Sequence, residues 1–215
     1  TGLSATAACT LESNLAGAYS GTSVSSAGDV NGDGYSDAVV GARNYSNGQA
    51  SEGAFYVFHG SSTGLSTTVA LTVESNTGSA RLGFSVSEAG DINSDGYSDI
   101  IAGAPGYTNG NTGEGSAFVY QGSSTGLSST ASWSTEANID WADLGVSVSS
   151  AGDVNGDGFN DLIVGAAGAD RNGNFSGSSY VVLGQAAGFA AVMNLSNLDG
   201  TNGFRLDGVA EGDGS

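Results

Sequence analysis

The sequence predicts an all-β fold, and three observations lead to that prediction. A nine-residue segment of the form D-x-N-x-D-G-x-x-D occurs three times, at residues 29–37, 91–99 and 153–161, with a spacing of 62 residues. Each copy is followed by a short apolar run that is rich in β-branched residues and bounded by Gly, which is typical of a strand. The 215 residues include 37 Gly and one Pro, a composition that favours many tight turns between short strands.

Each repeat predicts about four strands. The first alternates Ser with small or apolar residues and suits a crowded position near a central axis; its copies are 21–28, 83–90 and 145–152. The second is the apolar run after the nine-residue segment, at 38–42, 100–104 and 162–166. The third is 54–58, 117–120 and 179–183. The fourth follows a T-G-L-S segment, and its equivalent apolar positions, interpreted as packed strand residues, are Cys9, Leu71, Trp133 and Leu195.

Four-stranded units that repeat every 40–60 residues around an axis are typical of a β-propeller, whereas the repeats of a solenoid usually carry fewer strands. The predicted units are 1–62, 63–124 and 125–186, with a partial fourth repeat at 187–215. The segment 203–215 resembles the start of a fourth inner strand. Three complete blades are too few to close a propeller, since about 4–8 are typical. We therefore expect a piece of a larger propeller, or a subunit that other copies complete.

The nine-residue segments predict cation sites. Side-chain oxygens at positions 1, 3, 5 and 9, with a backbone carbonyl at position 7, form the kind of oxygen set that Ca²⁺ prefers. Gly at position 6 allows the sharp turn. A solvated acidic turn and a pair of glycosidase carboxylates are the alternatives, but an active site is normally single and this segment occurs three times. The predicted ligands, for about three calcium ions, are Asp29, Asn31, Asp33, Tyr35 and Asp37; Asp91, Asn93, Asp95, Tyr97 and Asp99; and Asp153, Asn155, Asp157, Phe159 and Asp161.

The net charge of the chain limits the classes of molecule that it is expected to bind. There are 22 acidic residues against four Arg and no Lys, so the formal net charge is −18. Such a surface argues against binding to nucleic acid and against insertion into a membrane, and it is compatible with a secreted protein. The single Cys excludes a fold built on intrachain disulfides. Because the chain starts at Thr1 without a signal-like segment, it has the character of a mature product or a fragment.

The sequence contains few residues of the kind that catalytic sites require. His59 is the only His, and its repeat counterparts are Gln121 and Leu183, so it is interpreted as a tolerated residue at a strand end. No cluster of Cys and His that could bind zinc is present in the sequence. Trp141 has no aromatic counterpart in the other repeats and is the best candidate for a ligand contact. N-x-S/T sequons at Asn44, Asn174 and Asn194 have meaning only in a glycosylating host.

The shared pattern G-x-S-V-S-x-A-G-D-x-N-x-D-G-x-x-D, followed by the apolar run and Gly-Ala, resembles the FG-GAP repeat of integrin α-subunit propellers and their bacterial relatives. Gly83-Phe84 and Gly103-Ala104-Pro105 carry the residues that give the repeat its name. The resemblance extends over residues 1–186 and implies propeller blades whose acidic loops bind Ca²⁺. Ser94 departs from the Gly of the other copies at a position that supplies no ligand.

From the resemblance we expect a non-enzymatic, extracellular or cell-surface module for adhesion or for recognition of a protein or glycan ligand. Its variable loops, at 43–52, 105–114 and 136–144, would make the contacts. One alternative is a self-assembling subunit of a surface fibre or sheath. A second is a non-catalytic accessory region of a secreted enzyme.

Overall fold

The computed structural model describes residue 10 and residues 15–170, 172–185, 189 and 191–212, and these are almost entirely β-strands and turns. The strands are β1 (Ser20–Gly28), β2 (Asp37–Ala42), β3 (Ala54–Phe58), β4 (Leu71–Glu74), β5 (Ser85–Gly90), β6 (Asp99–Ala104), β7 (Ser116–Tyr120), β8 (Trp133–Glu136), β9 (Leu144–Gly152), β10 (Asp161–Ala166), β11 (Ser178–Val182), β12 (Val192–Asn194) and β13 (Gly203–Asp207). A single 3₁₀ turn, Leu195–Asn197, interrupts them in the described part of the chain.

The strands form three antiparallel sheets, which we call blades 1, 2 and 3. Blade 1 has the order β1-β2-β3-β4, and blade 2 repeats it as β5-β6-β7-β8. Blade 3 has the order β9-β10-β11-β13. The first strands of the three blades, β1, β5 and β9, lie beside one another, which explains why they are built from Ser, Gly, Ala and Val. The prediction of an all-β partial propeller with three blades is confirmed, and each blade contains four antiparallel strands.

The tail of the chain differs from the prediction. Residues 203–207 were expected to begin a fourth inner strand, but β13 pairs with β11 and forms the outer edge of blade 3. Val57 pairs with Leu71 and Val119 with Trp133, so the 62-residue spacing would pair Val181 with Leu195; its partner is Phe204 instead. An insertion in the third repeat moves the outer strand nine residues along the chain.

The inserted residues lie against blade 2. Within the insertion, β12 runs parallel to β8 and adds a fifth strand to that blade. The hydroxyl of Thr135 donates a hydrogen bond of 2.9 Å to the carbonyl oxygen of Met193 and strengthens this edge. Leu195 is buried in the same apolar cluster as Trp133, so both are packed residues as predicted, although Leu195 is not in a strand. Cys9 lies outside the described residues.

The two larger apolar cores lie between blades, and a smaller third core lies on blade 1. One of the larger cores joins blades 1 and 2 and includes Val30, Val39 and Ile100. The other joins blades 2 and 3 and includes Ile92 and Ile101. Because successive strand residues point to opposite faces, Ile100 faces blade 1 while Ile101 faces blade 3. Blades 1 and 2 are therefore each covered on one face by the blade that follows in sequence.

Blade 3 leaves the corresponding face uncovered within the described structure. Val30 and Ile92 are 0% and 1% exposed, whereas their counterpart Val154 is 51% exposed. Gly41 and Gly103 lie so close to the next blade that a Cβ would stand 2.0 Å from the carbonyl oxygen of Gly83 and 1.9 Å from that of Gly145. These positions are repeated in blade 3, where the counterpart, Gly165, has nothing nearer than 3.5 Å to a Cβ, and that atom belongs to blade 3 itself.

Candidate metal loops and the opposite face

The three acidic loops join the first and second strands of their blades, at one end of the sheets. Position 1 follows directly after β1, β5 or β9, and position 9 is the first residue of β2, β6 or β10. Each loop therefore connects two neighbouring antiparallel strands, as the sequence predicted, and all three lie at the same end of the three blades.

In the first loop, the side chains at positions 1, 3 and 5 turn into the loop. The two carboxylate oxygens of Asp29 accept hydrogen bonds from the backbone N–H groups of Asp33 and Gly34, at 3.0 and 2.8 Å. The Asn31 side chain accepts from the N–H of Asp33 and donates to the Asp33 carboxylate, both at 3.0 Å. Asp33 in turn accepts from the N–H of Tyr35 at 3.0 Å. Three side chains that carry predicted ligand oxygens are thus held against one another.

The other two loops repeat this arrangement. Asp91 accepts from the N–H groups of Asp95 and Gly96, at 3.0 and 2.8 Å. Asp153 accepts from those of Asp157 and Gly158, at 3.1 and 2.9 Å. The Asn at position 3 donates to the Asp at position 5 in both loops, at 2.9 Å for Asn93 and 2.8 Å for Asn155. Tyr97 and Phe159, at position 7, donate their N–H groups to the Asp at position 5.

Position 9 has a different environment from positions 1, 3 and 5. Asp37, Asp99 and Asp161 are 3%, 0% and 0% exposed. One carboxylate oxygen accepts from the N–H of loop position 2, and the other accepts from the Gly after the third strand of the same blade. Each of these carboxylates therefore fixes the loop to two strands, a role that the sequence analysis did not predict. Burial raises the pKa of Asp99 to about 7, against the opposing effect of the hydrogen bonds from Gly122 and Ile92.

The backbone of the loops depends on left-handed residues. The Gly at position 6 has φ values of 88°, 91° and 91° in the three loops, a conformation that other residues rarely adopt. Position 4 is also left-handed, with φ of 72° at Gly32, 57° at Ser94 and 76° at Gly156. Ser94, which was predicted to supply no ligand, occupies a backbone conformation that disfavours a side chain.

A hard cation fits the donors at positions 1, 3 and 5. These groups supply carboxylate and amide oxygens, and a carboxylate oxygen that accepts one hydrogen bond keeps a further lone pair for a metal ion. Among the described residues, no group of three or more His, Cys, Asp and Glu side chains is arranged as a ready metal cluster. That result agrees with the geometry, because the third Asp of each loop is turned toward the backbone N–H groups beneath it.

The variable loops lie at the other end of the blades. Trp141, which immediately precedes the entry to blade 3, is 64% exposed and has a left-handed φ of 59°. Its backbone N–H donates to the carbonyl oxygen of Thr112, and its ring lies against Gly113 of blade 2. The structure thus places the predicted contact residue in the open, on the face opposite the acidic loops.

Buried Glu residues that the sequence analysis did not single out fix two of these variable loops. Glu52 and Glu114 are both fully buried, and each accepts a hydrogen bond from a backbone N–H of its own loop, that of Asn47 or that of Asn109. The side chains of the same two Asn residues donate to Glu74 and Glu136 on the outer strands. The loops at 43–52 and 105–114 therefore have a defined shape rather than an open one.

The sequence analysis also did not predict a contact between an arginine and two aromatic rings. The guanidinium carbon of Arg43 lies 5.4 Å from the ring centroid of Tyr19 and 5.3 Å from that of Phe84. All three residues lie at the same end of the blades as Trp141, because Tyr19 and Phe84 precede first strands and Arg43 follows a second strand. Their separation in sequence, from residue 19 to residue 84, left no local signal that could have revealed the arrangement.

Comparison with known proteins agrees with this architecture. The model of the FG-GAP repeat matches residues 20–58, 85–120 and 144–182, which are the first three strands of each blade. The chain is 38% identical over 161 residues to integrin alpha-PS5 of Drosophila melanogaster, covering 72% of this chain and 15% of that protein. It is 36% identical over 152 residues to integrin alpha-IIb of Mus musculus, covering 66% and 14%.

A third relative is the phosphatidylinositol-glycan-specific phospholipase D of Bos taurus, 35% identical over 171 residues, covering 71% of this chain and 20% of that protein. The chain thus spans between about one seventh and one fifth of the relatives it matches. No helix in the described residues has the length and apolar character needed to cross a membrane. Three matched repeats, each coinciding with the inner strands of one blade, show that this chain belongs to the FG-GAP repeat family.

Proposed function

We propose that this chain is a calcium-stabilised, extracellular recognition module of the integrin α type, whose acidic loops have a structural role and whose opposite face binds a ligand. The observation that carries the proposal is the division between the two ends of the blades. One end repeats the same inward-turned loop three times. At the other end, two loops share a framework of buried Glu and Asn, but the side chains that face solvent change from repeat to repeat. Repetition suits a structural role, and variation among loops on a rigid scaffold suits recognition.

Calcium would be held by the oxygens at positions 1, 3 and 5 of each loop, with the carbonyl at position 7 and the Asp at position 9 completing the predicted set. When bound, the ion supplies positive charge that offsets the repulsion between neighbouring carboxylates. The Asp at position 9 holds the second strand and the end of the third strand in place beneath the ion. Loss of calcium would therefore loosen the loops first and then the strand ends that they join.

Calorimetry tests the structural part of this proposal. The melting temperature is expected to be higher in millimolar calcium than in excess EGTA, because a ligand that binds only the folded state stabilises it. Isothermal titration should give about three sites, and Asp33→Asn, Asp95→Asn and Asp157→Asn should each remove one. Glu211→Gln, which removes one negative charge from an exposed position outside the loops, serves as the control. Equal melting temperatures in calcium and EGTA would contradict the proposal.

Recognition is tested by selecting displayed random peptides on the calcium-loaded protein. The proposal expects binders that saturate and that lose affinity when Trp141 is replaced by Ala, with no change in melting temperature because the side chain is exposed. Size measurement in calcium checks the main alternative. A discrete species agrees with a recognition module, whereas open-ended polymers would favour a subunit of a surface fibre.

One comparison favours a second candidate function. Phosphatidylinositol-glycan-specific phospholipase D is an enzyme by name, and this chain matches a fifth of its length. The chain could likewise serve as the non-catalytic region of a larger secreted enzyme. An assay of a longer natural product, with and without residues 20–182, would separate the two functions, because only an accessory region alters turnover or substrate capture by another part of the chain.

A further inference from the structure

Arg43 is a cation that its own strongly acidic chain does not neutralise. Only four Arg accompany 22 acidic residues, and Arg205 is paired with Asp207 at 2.7 Å. Among the described residues, no carboxylate forms an ion pair with Arg43. Arg81 is different, because it lies close enough to Asp143 to oppose the rise that burial causes in the pKa of that carboxyl. The Nε of Arg43 is also buried without a hydrogen-bond partner. A half-buried guanidinium whose nitrogen is left unpartnered is expensive unless another molecule completes it.

Two rings contact this guanidinium. The ring centroids of Tyr19 and Phe84 lie 5.4 and 5.3 Å from the guanidinium carbon. Contacts with aromatic faces hold the plane of the group and leave its edge, which carries the N–H donors, for a planar acceptor. Tyr19 is 59% exposed, so one wall of the arrangement is open to a partner.

A second arginine precedes Phe84 in the same turn. The backbone N–H of Phe84 donates to the carbonyl oxygen of Arg81. Tyr19, Arg81 and Asp143 occupy equivalent repeat positions, and all three are left-handed, with φ of 53°, 61° and 53°. The chain therefore repeats a strained backbone position at the entry of each blade, where it presents different side chains. The repeated backbone conformation belongs to the architecture of the blade entry, and only the side chain that it presents changes.

We infer that Arg43, in contact with the rings of Tyr19 and Phe84, is the anchor that binds a single carboxylate, the side chain of an Asp or Glu on a protein partner. This inference rests on the proposed recognition function and specifies the chemistry of its ligand. The guanidinium donates two hydrogen bonds to the carboxylate, and the exposed Tyr19 ring contacts the apolar residues around it.

The charge of the whole chain decides between possible partners. A polyanion such as a nucleic acid or a sulfated glycan would meet few cations and a net charge of −18, so its binding would be repelled overall. One carboxylate on an otherwise weakly charged surface meets the Arg43 guanidinium with much less repulsion. Arg, Tyr and Trp are also the residues that dominate binding energy at protein interfaces, and all three are found at this end of the blades.

The test is a phage library of random 12-residue peptides, selected on the calcium-loaded chain. Enriched peptides are expected to share one Asp or Glu beside apolar residues. The affinity of a synthetic peptide of this kind should fall at least about tenfold when its acidic residue is replaced by the matching amide. The affinity of the unchanged peptide should fall by a similar factor when Arg43→Gln is introduced into the protein. Arg43→Lys should bind the peptide more tightly than Arg43→Gln but less tightly than wild type. Lys keeps the positive charge but cannot donate two parallel hydrogen bonds to one carboxylate.

Arg205→Gln is the matched control, since it removes the same charge from an outer strand and should leave the affinity unchanged. Replacing the acid on the peptide tests the inference even if Arg43→Gln impairs folding. Enriched peptides without an acid, or peptides that bind Arg43→Gln as well as wild type, would overturn the inference while leaving the recognition function intact. Binding of a sulfated oligosaccharide that is lost in Arg43→Gln would overturn the choice of a protein partner. Failure to enrich any ligand would overturn both proposals.

Discussion

The carboxylate of Asp99 accepts a hydrogen bond of 2.9 Å from the backbone N–H of Gly122, across 23 residues of sequence. Its other oxygen accepts a hydrogen bond of 3.0 Å from the N–H of Ile92, inside the acidic loop. One buried side chain thus joins the loop, the second strand and the end of the third strand of blade 2. Its equivalents do the same in the other two blades, so the last Asp of each motif organises the blade itself.

Asp99→Asn should destabilise the protein even without calcium. The amide keeps one acceptor but turns an N–H donor toward the second backbone N–H, so one buried donor loses its partner. The expected decrease in the free energy of unfolding is about 1–3 kcal/mol. Urea denaturation in EGTA measures it, with Glu211→Gln as an exposed control. An unchanged midpoint would show that the Asp99 carboxylate does not hold the blade together.

The pKa of Asp99 also makes the stability of the calcium-free protein depend on pH. Burial raises this pKa from 3.8 to about 7, so the folded state retains a proton that the unfolded chain loses near pH 4. The free energy of unfolding should therefore fall as pH rises from about 4 to about 7. Denaturation curves across this range in EGTA test the sign, and Asp99→Asn should flatten the dependence. Calcium should reverse the trend, because a metal ion binds the deprotonated carboxylate.

A pair of Gly substitutions tests the contacts between blades. Gly103→Ala would place a Cβ 1.9 Å from the carbonyl oxygen of Gly145 and push blades 2 and 3 apart, with an expected loss of at least about 2 kcal/mol. Gly165→Ala changes the equivalent position of blade 3, where the nearest atom is 3.5 Å away. Its effect should be neutral or slightly stabilising. Equal losses in the two variants would mean that blade 3 is covered in solution.

The equivalent Val residues of the loops provide a second comparison. Val30→Ala removes apolar contacts from the core between blades 1 and 2 and should decrease stability by about 2 kcal/mol. Val154→Ala alters a side chain that is 51% exposed and should change stability by less than about 0.5 kcal/mol. Thermal unfolding of both variants under the same conditions measures the difference. A large effect at Val154 would reveal a partner on that face.

Much of the fold could be predicted because the repeats report the same pattern three times. The alternation in β1, β5 and β9 and the apolar runs of β2, β6 and β10 each mark a strand without any knowledge of its neighbours. The outer strand of blade 3 could not be placed by spacing, because the third repeat carries an insertion. Its signal was present in Phe204-Arg205-Leu206-Asp207, which has the same apolar alternation and acidic end as Leu71-Thr72-Val73-Glu74.

The candidate sites were predictable only where they are local. The acidic loop is nine consecutive residues, so its donors could be read directly. The second role of Asp99 depends on Gly122, and the setting of Arg43 depends on Tyr19 and Phe84, which only the pairing of strands and blades brings together. Left-handed conformations at Tyr19, Arg81 and Asp143 likewise arise from the way each blade is entered and not from residue preference.

Because blades 1 and 2 are each covered by the blade that follows in sequence, the order of the blades in the chain should also be the order in which they fold. During synthesis from the amino terminus, a finished blade would keep its Val30- or Ile92-type side chain in water until the next 62 residues emerge from the ribosome. Folding should then pause after each blade until the next one is synthesised. A nascent chain that stalls between repeats would expose an apolar surface to chaperones or to neighbouring chains.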